Sequence, residues 1–232
     1  VARDASGACG PAAPGCCGGF TPDASLKLGY SAEDLAAVPD GANMGLGCGN
    51  PQAIASLAPG ETVLDLGSGG GFDCFLAGKQ VGSAGRVIGV DMTADMVSKA
   101  RANARTLGAA NVEFRLGEIE HLPVADGSVD ANVIFFLLHE LPHELKGEAL
   151  REACRVLAPG GKLYLAEFHR PEPWVLRALS WTYFKVFEPL GLALWSTHDP
   201  VQQLKELPGY TCERRAVFFG NFQVIVATKP LA

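Results

Sequence analysis

The sequence predicts a doubly wound α/β fold. It should hold a mostly parallel seven-stranded sheet with helices on both faces and an antiparallel C-terminal hairpin. Three observations carry this. Short apolar runs alternate with longer helical periodicities from Thr62 onward. A glycine cluster, Gly67-Ser68-Gly69-Gly70-Gly71, follows the first of those runs. Two late strand-like runs flank Phe219-Gly220-Asn221, as in a hairpin.

The elements follow in order. Residues 1–30 are Gly, Pro, Ala and Cys with little periodicity, so a mobile tail is expected. Cys9, Cys16 and Cys17 within it match no zinc-finger or CxxC spacing. They are either incidental or thiols that meet a soft metal or metalloid. A single domain is expected over 31–232. Ser31 should cap a short helix. Gly45-Leu46-Gly47-Cys48-Gly49-Asn50-Pro51 suggests backbone held near a ligand, and Pro51 suits the first turn of a helix over Gln52–Leu57. A strand at Thr62–Leu66 leads through the glycine loop into a helix from Phe72 to about Gln80. Next come a strand at Arg86–Asp91 and a helix capped by Thr93 and ended at Gly108. Strands are expected at Asn111–Leu116 and Ser128–Leu137. A helix at His143–Leu157 should stop at Pro159-Gly160-Gly161, before a fifth strand at Lys162–Phe168. Trp174–Trp195 holds all three tryptophans and is apolar almost all round. It should open a helical, lid-like insertion over 174–207 that packs on the sheet, walls an apolar pocket, or both. A helix at Pro200–Leu207 then precedes the hairpin strands Thr211–Phe218 and Phe222–Thr228.

Composition narrows the function. Apolar residues make up 48% and net charge is −6, so the overall field does not favour nucleic acid. Lys99, Arg101 and Arg105 read as one solvated helix face. No apolar run is long enough to span a bilayer. No apolar segment follows Val1-Ala2-Arg3-Asp4, so no secretory signal is expected. Seven cysteines, an odd number, then predict free thiols in a reducing cytoplasm. A monomer or homodimer is expected.

The glycine loop selects among nucleotides. Dinucleotide sites use G-x-G-x-x-G, whereas here the glycines run G-x-G-x-G. No lysine follows as in a P-loop, so a triphosphate is not expected. Asp91 lies twenty residues after Gly71, at a strand end where an acid takes the ribose hydroxyls of an adenosine. Asp65 and Asp73 flank the loop and would repel a pyrophosphate. They suit a cation with an amino-acid end, which is what S-adenosylmethionine offers.

Asp65–Gly71, Asp91 and Arg155-Val156-Leu157-Ala158-Pro159-Gly160-Gly161 resemble class I S-adenosylmethionine-dependent methyltransferases, which have a Rossmann-like sheet. Tyr30–Leu35, Leu46–Pro51, Gly71–Phe75, Gly89–Thr93, Gly117–Glu120 and the Cys16-Cys17-Gly18 tail resemble the bacterial arsenite methyltransferases. From Phe135 onward, Phe135–Pro142, His169-Arg170-Pro171, Glu188–Trp195 and Phe218-Phe219-Gly220 are more similar to the rhodoquinone-biosynthesis enzymes. The position of the arsenite family's third arsenic-binding cysteine falls at about Phe136.

The resemblance implies that Asp65, Gly67, Ser68, Gly69, Gly71 and Asp73 hold the methionine end of the cofactor. Asp91 and Met92 would hold the ribose, Glu118 and Ile119 the adenine, and Phe135 would line the cofactor site. The acceptor should lie where Phe135, Phe136, His139 and Glu140 emerge from the sheet. Arsenic would need thiolates: Cys48 with one or more of Cys9, Cys16 and Cys17, and a thiol reductant in solution. Cys74 and Cys154 should face the core and stay inert. An oxygen, nitrogen or carbon acceptor would need a general base. His139 is the candidate, oriented by Glu140 or His169. The acceptors in view are therefore trivalent arsenic, at Cys16, Cys17 and Cys48, or an apolar quinone-like molecule, at Phe136, His139 and His169. A non-catalytic binding module is a third reading.

Overall fold

The strands form because runs such as Val63-Leu64-Asp65-Leu66 and Val133-Ile134-Phe135 carry apolar side chains on both faces, as central parallel strands require. In the computed structural model, which describes residues 26, 30–39, 42–43, 55–187, 189–197 and 199–231, seven strands join one sheet in the order β3-β2-β1-β4-β5-β7-β6. They are β1 (Thr62–Leu66), β2 (Arg86–Asp91), β3 (Val112–Leu116), β4 (Val129–Phe135), β5 (Leu157–Phe168), β6 (Thr211–Val217) and β7 (Phe222–Thr228). The first five run parallel, while β7 pairs antiparallel with both β5 and β6. The hairpin is therefore inserted with its second strand inward and β6 at the edge.

The helices are α1 (Ala32–Ala36), α2 (Phe72–Val81), α3 (Ala94–Leu107), α4 (His143–Arg155), α5 (Trp174–Phe187), α6 (Pro189–Thr197) and α7 (Pro200–Glu206). Period-two alternation sends Leu64, Ile88, Ile134 and Leu165 to one core, with Leu150 of α4 and Leu204 of α7. It sends Val63, Val87, Phe114 and Val133 to the other, with Phe75 of α2 and Val97 of α3. A third, aromatic cluster of Phe168, Phe184 and Leu194, backed by Phe136 and Phe222, sits where α5 and α6 meet the sheet. No helix among the described residues is long and apolar enough to cross a membrane.

Several boundaries differ from expectation. β4 ends at Phe135 because Phe136 turns into the left-handed region (φ 50°), and a 3-10 turn, Leu138–Glu140, follows. α4 stops at Arg155 because Leu157 already pairs with Val129 of β4, so Pro159-Gly160-Gly161 lies inside an irregular β5. Thr93 occupies the N-cap of α3 without a side-chain cap bond. Its N–H instead reaches Asp91 Oδ1 at 2.8 Å. Ser31 does cap α1, in a reciprocal box with Asp34. Of the helix expected over Gln52–Leu57, Ala55–Leu57 are not helical, and 51–54 lie outside the described residues. Except for Leu26 and Tyr30, so does the 1–30 segment.

The chain steps from β1 outward to β2 and β3, then returns to add β4 and β5 on the other side. The order reverses between β1 and β4, which opens a cleft at their carboxyl ends. Gly89 in β2 supports the floor of this cleft. A Cβ there would lie 2.6 Å from the Phe114 ring and 2.8 Å from Ser68 Oγ. Gly89→Ala is expected to cost about 1–3 kcal/mol through overpacking. Urea unfolding should show a lower midpoint with an unchanged slope.

Candidate active site

A cleft of about 620 Å³ opens at the switch point. A hollow of about 820 Å³ also exists, but it lies around Gly82, Arg86 and Asn111, at the opposite ends of β2 and β3. The cleft is built from the glycine loop outward. Gly67, Gly69 and Gly71 all adopt positive φ, and the N–H groups of Gly67 and Ser68 both reach Val90 O, at 2.9 and 3.1 Å. Gly71 caps α2, and a Cβ there would stand 2.6 Å from Phe114 Cζ. Only glycine meets both the dihedral and the contact. Asp91 locks the loop from β2: its Oδ2 accepts the Gly69 N–H at 2.9 Å, and its Oδ1 accepts the Thr93 N–H at 2.8 Å. Asn103 of α3 completes the support with a buried bond to Gly70 O, at 3.0 Å.

At one end two carboxyl groups converge. Burial raises Asp65 to about 6, with Asp91 adding to the shift and a bond from Cys74 Sγ, at 3.1 Å, opposing it. Burial, then repulsion from Asp65, raises Asp73 to about 8, and the Tyr30 hydroxyl opposes this by donating to Asp73 Oδ1 at 2.6 Å. Tyr30 also stands edge-on to Phe72, with centroids 4.8 Å apart. Burial holds its hydroxyl protonated, so it stays a donor.

Beyond the loop, Asp91, Met92, Gly117, Glu118, Ile119 and Glu120 line the cleft. Met92 is 72% exposed, whereas Ile119 is buried. Asp91 keeps acceptor capacity beyond its two loop bonds. On the far side stand Phe135, Phe136, Leu137, Glu140, Leu141 and Leu145. Phe136 is fixed by edge contacts to Phe168 and Phe222 (5.6 and 5.4 Å), so the position where the resemblance put a thiol holds a packed ring.

Two expected acceptor residues do not line the cleft. His139 is buried behind its wall, with Nδ1 3.0 Å from Glu167 Oε1. Neither Glu140 nor His169 orients it: Glu140 Oε1 is 4.0 Å from His139 Nε2, and His169 Nδ1 faces Gly220 O at 2.9 Å, because His169 leaves β5 beside the hairpin turn. No described residue of α5 or α6 lines the cleft either. α5 buries only Phe184, against the aromatic cluster, so it stands behind Phe168 and Phe222 and not over the opening.

The cysteines divide sharply. Cys9, Cys16, Cys17 and Cys48 lie outside the described residues. Cys74, Cys154 and Cys212 are free thiols, and none lines the cleft. Burial, and the nearby Asp65, raise the Cys74 thiol; burial pushes Cys154 up to about 11 and also raises Cys212. None of the three is a ready thiolate.

Sequence reasoning did not assign roles to Tyr30, Phe72, Met96, Leu145 or Glu167. Tyr30 and Phe72 could be suspected only as neighbours of named motifs. Glu167 carried no signal, since an acid between Ala166 and Phe168 reads as an exposed strand residue.

The cleft fits S-adenosylmethionine. Its glycine cradle admits close approach, its two acids are buried at one end, and Ser68 Oγ is buried without a hydrogen-bond partner beside the loop. Comparisons with known proteins agree. Residues 57–212 match the family model described as a methyltransferase domain. An arsenite methyltransferase of Halobacterium salinarum is 53% identical over 161 residues, 69% of this chain and 41% of that protein. A ubiquinone/menaquinone biosynthesis C-methyltransferase of Salmonella arizonae is 34% identical over 152 residues, 63% of this chain and 59% of that protein. An arsenic(III) S-adenosylmethionine methyltransferase structure from Chlamydomonas reinhardtii superposes with TM-score 0.57 at 27% identity, covering 89% of this chain and 72% of that one. The chain thus spans less than half the length of the halobacterial protein.

The raised acids set a pH dependence. Asp65 and Asp73 bind protons more tightly folded than unfolded, so their stabilising contribution is complete below about pH 4 and is lost as pH rises through about 6 and 8. Without ligand, Asp73→Asn should flatten the fall in melting temperature between acid and mildly alkaline pH. Parallel melting curves for the two proteins would contradict this.

Proposed function

The chain belongs to the S-adenosylmethionine-dependent methyltransferases, and from that premise we propose that its methyl acceptor is trivalent arsenic held by cysteine thiolates. The observation that carries this reading is the 53% identity with the halobacterial arsenite methyltransferase over 69% of the chain. The cofactor supplies an electrophilic methyl group on a sulfonium, whose sulfur leaves as a neutral thioether. The protein supplies alignment and exclusion of water.

Asp65 and Asp73 take the ammonium of the methionine end, which draws their raised carboxyls into the charged form. The Gly67–Gly71 backbone and Ser68 Oγ receive its other polar groups. Asp91 and Met92 take the ribose, while Glu118 and Ile119 flank the adenine. Phe135 closes the reactive end. Arsenic brings its own lone pair and requires no base. It requires soft ligands, and thiolates fill that role. Cys74, Cys154 and Cys212 do not line the cleft, and Cys48 with one or more of Cys9, Cys16 and Cys17 supplies them in this reading, kept reduced by an external thiol.

A second reading, methylation of an apolar ring, is favoured by one observation. Apart from Glu140, the acceptor end named above is lined by Phe135, Phe136, Leu137, Leu141 and Leu145. A relative named as a quinone C-methyltransferase is consistent with that lining.

Two experiments test these assignments. Asp91→Ala loses both the loop clamp and the ribose acceptor, so calorimetric affinity for S-adenosylmethionine should fall at least about tenfold, the equivalent of about 1.4 kcal/mol. Undiminished binding would refute the site. With arsenite, thiol and cofactor present, the intact protein should release methylated arsenic, read by mass spectrometry, and Cys48→Ser should abolish it. Equal product from that variant would reject the thiolate mechanism.

A further inference from the structure

Glu167 is the most costly residue of the acceptor side. It sits in β5 at 0% exposure, one residue before the aromatic cluster. A carboxylate there is strongly unfavourable unless it is fully bonded. Its Oε2 accepts the backbone N–H of His139 at 3.1 Å. Its Oε1 accepts the Phe168 N–H at 2.8 Å and meets His139 Nδ1 at 3.0 Å. A carboxylate facing Nδ1 keeps the proton on that nitrogen and leaves Nε2 as the acceptor. The imidazole is also held edge-on to Phe168, with centroids 4.8 Å apart.

The turn that carries His139 is clamped from the other side. Lys146 Nζ, on α4, donates to Leu138 O and to Leu141 O, the latter at 2.6 Å. Two buried charges from two elements thus fix one short turn. The orientation they produce is specific: Nε2 lies 4.0 Å from Glu140 Oε1. That gap exceeds a hydrogen bond but lies within ion-pair reach, and the Glu140 side chain is 59% exposed. Glu140 itself lines the cleft beside Phe136 and Leu141. The bonds to the backbone hold the turn whichever acceptor binds, whereas the bond to His139 Nδ1 sets a tautomer for which arsenic, with its own lone pair, has no use.

We infer that Glu140, His139 and Glu167 form a proton relay for an acceptor that loses a proton on methylation, a hydroxylated aromatic ring. The inference rests on the second acceptor reading and not on the arsenic reading. Glu140 touches the acceptor and is the catalytic residue. His139 and Glu167 are positioning residues behind it. The phenolic O–H bond breaks and its proton moves to the Glu140 carboxylate. The phenolate's electrons, delocalised onto a ring carbon, form the bond to the methyl carbon as the carbon–sulfur bond breaks and the sulfur keeps that bond's electrons. The hydrogen on the methylated ring carbon then moves as a proton to the phenolate oxygen, which restores the aromatic ring. Glu140 then returns to its ionised form by passing the proton to His139 Nε2, and the imidazolium is paired with Glu167. The products are a methylated ring, a neutral thioether and one proton stored on the relay.

The probe is 4-nitrophenol, whose phenolate absorbs at longer wavelength than the phenol, mixed with the full chain without cofactor. Bound probe beside the Glu140 carboxylate should be less ionised than free probe at the same pH, because a neighbouring negative charge disfavours the phenolate. In Glu140→Gln its ionisation constant should rise by about tenfold, one pKa unit. With cofactor added, kcat for methylation of the same phenol should fall in Glu140→Gln and in Glu167→Gln while KM holds. Should Glu167→Gln fail to fold, Glu140→Gln, altered on the exposed cleft wall, carries the test alone. Probe that binds with the same ionisation in the intact protein and in Glu140→Gln overturns the relay and spares the reading. Probe that does not bind overturns both. A merely structural Glu167 would lower the melting temperature and leave kcat below the melting range in place.

Discussion

The Asp91 carboxylate holds the architecture of the site together. One oxygen fixes Gly69 in the loop after β1, and the other fixes Thr93 in the turn after β2. Two loops that follow neighbouring parallel strands are thereby locked at one spacing. The lock works only because Gly71 and Gly89 leave room for the Phe114 ring beneath it. Had either carried a side chain, the loop would lift away from the sheet and lose both its bonds and its shape. Hydrogen bonds to a carboxylate are stronger than neutral ones, which suits a clamp that must survive with no ligand above it.

Around this clamp the cleft is electrostatically graded. The glycine-loop end concentrates acid: Asp65, Asp73 and Asp91 lie near one another, and the first two are held above the usual carboxylate range mainly by burial. Tyr30 and Cys74 each give one hydrogen bond to this acid pair and offset part of the shift. The opposite end is apolar except for Glu140. Such a gradient orients a ligand with a cationic amino-acid head and leaves its reactive carbon against an apolar wall, from which water is displaced.

The fold and the glycine loop were legible in the sequence because their signals are local. Thr62–Leu66, Gly67–Gly71 and Asp91 each announce a strand, a turn and a strand end within a few residues. The β5 boundary was misread because Pro159-Gly160-Gly161 looks like a stop, and only pairing of Leu157 with Val129 shows the strand passing through it. The tryptophan-rich segment was expected as a possible lid because its composition demands apolar contact. Composition gives no direction, and the contact it found is the Phe168 cluster.

What the sequence determined by itself is the sheet, the glycine loop and the chemistry of the group that loop accepts, because those depend on residues near one another in the chain. What only the tertiary structure decided is the acceptor side. His139 looked like a base oriented by Glu140 or His169, yet its partner is Glu167, twenty-eight positions away on the next strand. Tyr30 reaches Asp73 across forty-three positions. No spacing rule encodes such pairs. The His139–Glu167 pair arises because β4 and β5 run parallel and in register, with Phe135 beside Ala166, so that a turn after one strand lies against a carboxylate buried in the other.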